Sequence, residues 1–180
     1  MIILLGVAGS GKSTQGRLLA DQKGYAWIST GEILRVLVTG RRRLEMLDGK
    51  LLTDAEMIKV MDKVLDLIDP TDQFVLDGFP RTAVQTSWIL DQAKKGRIPP
   101  IVVLHLHSKQ DVVKSRLMKR GRQDDTNKAI SQRFDEYHKV TLPIVNDFKA
   151  HGIKVYDINA SQNPEAVHEE IMRAINLAKE

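Results

Sequence analysis

Three stretches carry side chains whose types and spacing can do phosphate chemistry. The first, Gly6 to Ser13, reads GVAGSGKS and matches G-x-x-x-x-G-K-[ST]. In that pattern glycines let successive backbone N–H groups converge on phosphate oxygens at the positive end of a helix. The lysine, here Lys12, adds a point charge toward the β- and γ-phosphates. Gly9, Ser10, Gly11, Lys12, Ser13 and Thr14 are therefore candidate phosphate and ATP ligands. The second stretch, FVLDG at 74–78, ends an apolar run in Asp77, placed to hold Mg²⁺ directly or through water. The third, KRGRQDDT at 119–126, puts three cations into four residues ahead of two adjacent carboxylates. Alone, such a run fits a solvated loop. Beside a phosphate loop, its guanidinium forks suit anionic oxygens.

These groups need elements to hold them. Four apolar runs read as buried strands: 1–6, 74–78, 101–107 and 153–158, with YAWIS at 25–29 a weaker fifth. Their near-continuous hydrophobicity predicts a parallel sheet covered on both faces, and amphipathic segments between them give a βαβ rhythm. A helix is expected from Thr53, where Thr53 and Glu56 form a T-x-x-E capping box ahead of Met57, Val60, Met61, Val64 and Leu65. Others are expected over 109–119, after Asp125 with Ile130, Phe134 and Tyr137 on one face, and over 164–178. Asp125 is a candidate cap for its helix. His105 and His107 share a strand face but have no third ligand in the pattern, so a packed strand end is expected. Trp27 and Trp88 read as packing residues near the acceptor side.

The 180 residues suit one domain. With 42% hydrophobic and 28% charged residues the chain reads as an ordinary globular protein. The absence of cysteine excludes disulfides and thiolate zinc sites. No apolar run approaches the ~20 residues of a membrane span, so no membrane association and a cytoplasmic setting are expected. A net charge of +4 favours phosphate-bearing partners; with aromatics at 5% and scattered, nucleic acid is not expected.

STGEILR (29–35), GKLLTDAEM (49–57), DGFPRTAVQ (77–85), RLMKRGRQDD (116–125) and RFDEYHKVTLPIV (133–145), following GVAGSGKSTQ, run in order at compatible spacings. Together they resemble the nucleoside monophosphate kinases, adenylate kinases most closely, over essentially the whole chain. The resemblance implies an α/β three-layer P-loop kinase fold with a five-stranded parallel sheet. It implies reversible transfer from Mg²⁺-bound ATP to AMP, giving two ADP. By the same resemblance Arg35 and Arg81 grip the AMP phosphate. Thr30 and Gln85 read its adenine, and Lys50, Leu51, Leu52, Gly78, Phe79 and Pro80 line that pocket. Arg116 lies over the ATP base and Arg120 on its phosphates. Arg122 and Arg133 straddle the transferring group, and Gln162 passes the donor adenine.

Such transfer needs positioning and charge stabilisation rather than a side-chain nucleophile, which is what Mg²⁺, Lys12 and planar guanidiniums supply. Thr82 and Gln85 equally fit a T-x-x-Q capping box, which would compete with base reading. Relatives acting on pyrimidine monophosphates tend to carry alanine for Thr30 and asparagine for Gln85, so AMP is the expected acceptor. A UMP/CMP kinase is the alternative. A P-loop ATPase factor docking on RNA or protein is a further one.

The chain departs from the resemblance in places. Ser13 stands where relatives carry glycine, and either it or Thr14 can face Mg²⁺; Ala8 replaces a common proline. The AMP-binding insert, about 30–60, is trimmed, and the lid, about 119–126, is almost absent, within a single domain over 1–180. Lys119 is expected to end a helix, with Asp124 and Asp125 bracing Arg120 and Arg122. The run Arg41–Arg43 is either a solvated helix start or a source of charge at the acceptor phosphate or a subunit contact. A monomer is the default, a homo-oligomer the alternative.

Overall fold

A computed structural model describes residues 1–47, 52–69, 71–122 and 125–178. Five strands, β1 (Ile2–Leu5), β2 (Ala26–Ser29), β3 (Phe74–Asp77), β4 (Val102–His107) and β5 (Lys154–Asn159), pair in parallel in the order β2-β3-β1-β4-β5. All five expected strands form, the weak one included as an edge.

Successive strand residues point to opposite faces, so a strand apolar at every position serves two cores. In β1, Ile3 and Leu5 join Phe74, Leu76 and Val103 on one face, while Ile2 and Leu4 join Val75, Leu104 and Leu106 on the other. The first face is covered by α4 (Asp54–Leu65), α5 (Ala83–Lys94) and α8 (Pro143–Ala150). The second is covered by α1 (Lys12–Lys23) and α9 (Pro164–Leu177) through Leu19, Ala20, Val167, Ile171, Ala174 and Ile175. Each fully buried Leu, Ile or Phe contributes about 1.5–3 kcal/mol. The layers are therefore held by the apolar runs themselves.

The remaining elements shape the cleft. They are α2 (Thr30–Leu37), α3 (Gly40–Leu47), α6 (Gln110–Arg120) and α7 (Asn127–Glu136), which runs on into a π-helical turn at Tyr137–Thr141. A third, smaller cluster of Val7, Val113, Leu117, Ile130 and Phe134 seats α6 and α7 beneath the glycine loop. The capping box at Thr53 forms in full, with Glu56 N–H on the Thr53 hydroxyl and Thr53 N–H on the Glu56 carboxylate.

Three local expectations change. Helix α6 runs through Arg120 rather than ending at Lys119, and stops at Gly121 in the left-handed region. The cap of α7 is Thr126, whose side chain accepts from Ala129 N–H; the Asp125 carboxylate is committed elsewhere. Trp27 packs against Gly16 of α1, with the Arg17 guanidinium 4.4 Å from its ring centroid, while Trp88 meets Phe79 edge-on on the acceptor side. His105 Nδ1 donates to the Asp157 carboxylate and its Nε2 lies against the Tyr137 hydroxyl, both at 2.6 Å, so both ring nitrogens of His105 are engaged by side chains. Burial, then the Asp157 charge, pushes the Tyr137 phenol up to about 12. Among the described residues no helix is long and apolar enough to cross a membrane.

Candidate active site

The loop between β1 and α1 lies at the carboxyl end of the sheet, where the connection after β1 runs toward the β2 edge and that after its neighbour β4 runs to the β5 edge. Gly6 (φ +147°) is forced there: a Cβ would sit 2.4 Å from the Leu106 carbonyl oxygen. Helix α1 starts with Gly11 as its cap, without a side-chain acceptor and with no acidic residue in its first turn. Its first-turn N–H groups are thus left to an anion. Lys12 Nζ is held at 2.6 and 2.8 Å from the Gly6 and Val7 carbonyls. Burial lowers the Lys12 ammonium to about 8; Asp77 pulls the other way, while Arg81 and Arg120 add to the lowering.

Asp77 ends β3 next to this loop, because Leu4 and Asp77 are in register on neighbouring strands. Ser13 donates to its Oδ2 at 2.6 Å, and the Thr30 hydroxyl donates to its backbone oxygen at 3.3 Å. Gly78 (φ +89°) follows, where a Cβ would lie 2.5 Å from the Thr30 hydroxyl. Arg81 then folds back, its Nε donating to the Gly78 carbonyl at 2.8 Å. Burial lowers the Arg81 pKa against the opposing charge of Asp77.

Two carboxylates organise four of the arginines. Asp125, its side chain 1% exposed, takes Arg120 through two bonds, of 2.8 and 2.6 Å, and Arg133 at 3.2 Å. It also accepts from the Arg122 backbone N–H at 3.2 Å. Its burial favours the neutral acid, but Arg120, the Arg122 N–H and Arg133 together hold its pKa below the ordinary range. Glu32 takes Arg35 at 2.6 Å and reaches Arg122 at 3.5 Å. The hydrogen bond from Arg35 is the main cause of its lowered pKa. Arg116 is fixed differently, its two terminal nitrogens donating to the Ala160 and Gln162 carbonyls at 2.7 and 2.9 Å.

These groups face one cleft of about 1300 Å³, lined by the glycine loop from Gly6 to Thr14, Thr30, Arg35, Leu52, Asp77, Gly78, Pro80, Arg81, Gln85, Arg116, Arg120, Arg122, Arg133 and Gln162. That exceeds the ~300–1,000 Å³ of an ordinary small-ligand pocket and leaves room for two nucleotides. One expected residue turns away: the Phe79 side chain is fully buried in the core against Trp88, since the apolar ring gains more there than in a polar cleft. Lys50, Leu51 and Asp124 lie outside the described residues. Arg41–Arg43 are not among the residues lining the cleft. Arg42 bonds Glu45 and Glu56, Arg41 lies 3.5 Å from Glu45, and Arg43 donates to the Arg35 carbonyl.

The capping box at Thr82 is only half made. Thr82 accepts from Gln85 N–H, but Gln85 Oε1 accepts from the Arg81 N–H, not that of Thr82. Gln85 therefore stays on the cleft wall. Two participants escaped the sequence reading. Glu32 was visible only as an (i, i+3) partner of Arg35. Asp54 begins α4 after the Thr53 cap, and no sequence spacing marks its contacts with both Thr82 and Gln85.

So many cations around one cavity that already holds a phosphate loop leave phosphorylated ligands as its occupants. Fold and site together define a phosphate-loop nucleotide kinase. A family model described as adenylate kinase matches residues 4–153. The adenylate kinase of Prochlorococcus marinus is 33% identical over 183 residues, covering 97% of this chain and 98% of that protein. Adenylate kinase 1 of a Nostoc species is 33% identical over 176 residues, covering 94% and 95%. The adenylate kinase of Rhodopirellula baltica is 34% identical over 183 residues, covering 98% and 95%. The chain belongs to the adenylate kinase family, and is a nucleoside monophosphate kinase.

Proposed function

We infer that the cleft binds ATP at the glycine loop and AMP at the Thr30–Gln85 end, and moves the γ-phosphoryl group between them to give two ADP. The observation that carries this is the convergence of Lys12, Arg81, Arg120, Arg122 and Arg133, from four separate parts of the chain, on one cavity. Charge on a transferring phosphoryl group is spread over its equatorial oxygens, so fixed cations on several sides lower the barrier without a covalent intermediate. Lys12 and the loop N–H groups hold the β- and γ-phosphates. Arg120 neutralises the donor phosphates, and Arg122 and Arg133 flank the group in transfer. Arg35 and Arg81 orient the acceptor phosphate, with Thr30, Leu52 and Gln85 around its base. Arg116 and Gln162 border the donor base.

The residues present suit Mg²⁺. Ser13 Oγ and Asp77 Oδ2 lie side by side, both hard oxygen donors. Among the described residues no group of three acidic or imidazole ligands forms a cage. One or two protein oxygens completed by water and phosphate is the donor set magnesium favours. When bound, the ion offsets phosphate charge; Ser13 and Asp77 would hold it, with Thr14 next to them. We also read residues 119–126 as what remains of a lid, and α2 to α4 as a trimmed acceptor-binding insert in a single domain. The test is ADP formation from ATP across AMP, UMP and CMP. AMP-dependent ADP is expected; ATP hydrolysis indifferent to every monophosphate would overturn the reading.

A further inference from the structure

Gln85 is 4% exposed, and its amide is pinned at both ends. Its Oε1 accepts from the Arg81 N–H at 2.8 Å, and its Nε2 donates to Asp54 Oδ1 at 2.8 Å. Asp54, the first residue of α4, also accepts from the Thr82 hydroxyl on that same oxygen at 2.8 Å. A backbone N–H can only donate and a carboxylate only accepts. Rotating the amide by half a turn would face N–H against N–H and oxygen against carboxylate, losing both bonds. The two neighbours thus fix which end of the amide is oxygen and which is nitrogen.

That choice matters for a base. An unconstrained primary amide pairs equally well with a 6-aminopurine, which offers a donor beside an acceptor, or with a 6-oxopurine, which offers the reverse. Only a held amide tells them apart. We propose that Asp54 is a specificity-determining positioning residue, locking the Gln85 amide so that the acceptor site takes 6-aminopurine monophosphates and rejects 6-oxopurine ones. This rests on the reading above that Gln85 faces the acceptor base. A base of the wrong class would either leave buried polar groups unpaired or require the lock to break, which is how a polar site earns discrimination.

The experiment measures kcat/KM for AMP and for IMP in the wild-type chain and in Asp54→Ala, Asp54→Ser, Asp54→Asn and Gln85→Ala. The AMP/IMP ratio is read on each preparation, so the folded fraction cancels. Serine keeps a helix-start residue but is too short to hold the amide, covering the case in which alanine does not fold. The ratio is expected to fall roughly tenfold or more in Asp54→Ala and Asp54→Ser, the worth of a hydrogen bond to a charged group. Asparagine, whose oxygen still accepts, should keep most of it. Asp54 variants with the wild-type ratio, including equal losses on both substrates, overturn the lock. If Gln85→Ala loses the ratio in that case, base reading by Gln85 survives without it. A wild-type chain that does not prefer AMP to IMP overturns both.

Discussion

Replacing Asp125 by asparagine removes the one negative charge that the Arg120 and Arg133 guanidiniums share. The carboxylate is almost wholly buried and makes two bonds to Arg120, one to Arg133 and one to the Arg122 N–H. Breaking a fully buried pair costs roughly 3–5 kcal/mol. Here the partners retain water, Arg120 with 33% and Arg133 with 21% of the side chain exposed, so the loss is discounted to about 2–3 kcal/mol. At about 2–4 °C per kcal/mol for a chain of this size, the melting temperature should fall by roughly 5–10 °C. Turnover should fall with it, by about 10²-fold, because Arg120 and Arg133 lose the group that aims them. The pH signature has a definite sign. Asp125 has a lowered folded-state pKa, so its stabilisation is present above the ordinary aspartate pKa near ~3.9 and is lost as pH falls through the lower folded value. Thermal melts from about pH 7 downward, with coupled ADP assays, read both effects. Wild-type melting and turnover in Asp125→Asn would refute the view that this carboxylate organises the arginines.

Arg122→Ala should lower transfer by about 10²–10³-fold with the fold intact, read as kcat beside an unchanged melt. Near-normal activity would return the 119–126 run to surface decoration. Because burial lowers Lys12 to about 8, the free protein loses this cation at alkaline pH, and bound phosphates should restore it. Thus kcat/KM for ATP should decline above about pH 8 while kcat at saturating ATP holds; a flat profile to about pH 9.5 contradicts the assignment. Gly6→Ala meets a backbone oxygen that cannot swing away. It should cost at least about 2 kcal/mol in denaturant unfolding and weaken ATP binding together.

The lines of the fold were open to reading from the chain alone. Four apolar runs and a weaker fifth read as strands of a parallel sheet, and the sheet forms with β1 and β3 buried on both faces and the edge strands β2 and β5 partly exposed. The Thr53–Glu56 box depends on residues within one turn, and the glycine loop is one contiguous motif, although it is the distant Leu106 carbonyl that enforces Gly6. Ordered motifs over the whole length located the cleft-lining arginines, Thr30 and Gln85.

The expected brace of Asp125 on Arg120 forms, and it reaches Arg122 through the backbone N–H, but most other partnerships were not local and tertiary structure decided them. Glu32 reaches Arg122 across 90 residues of chain, and Gln85 finds Asp54 from a different helix. Phe79 turned inward, although its motif neighbours face the cleft, because the space beside Trp88 was apolar. Asp125 gave up the helix cap to Thr126 since two guanidiniums, those of Arg120 and Arg133, offered a charged carboxylate more than one backbone N–H could. Sequence spacing sets what a residue can do with its own turn of helix or strand. Which carboxylate meets which cation depends on the packing of separate elements, and that is written only in three dimensions.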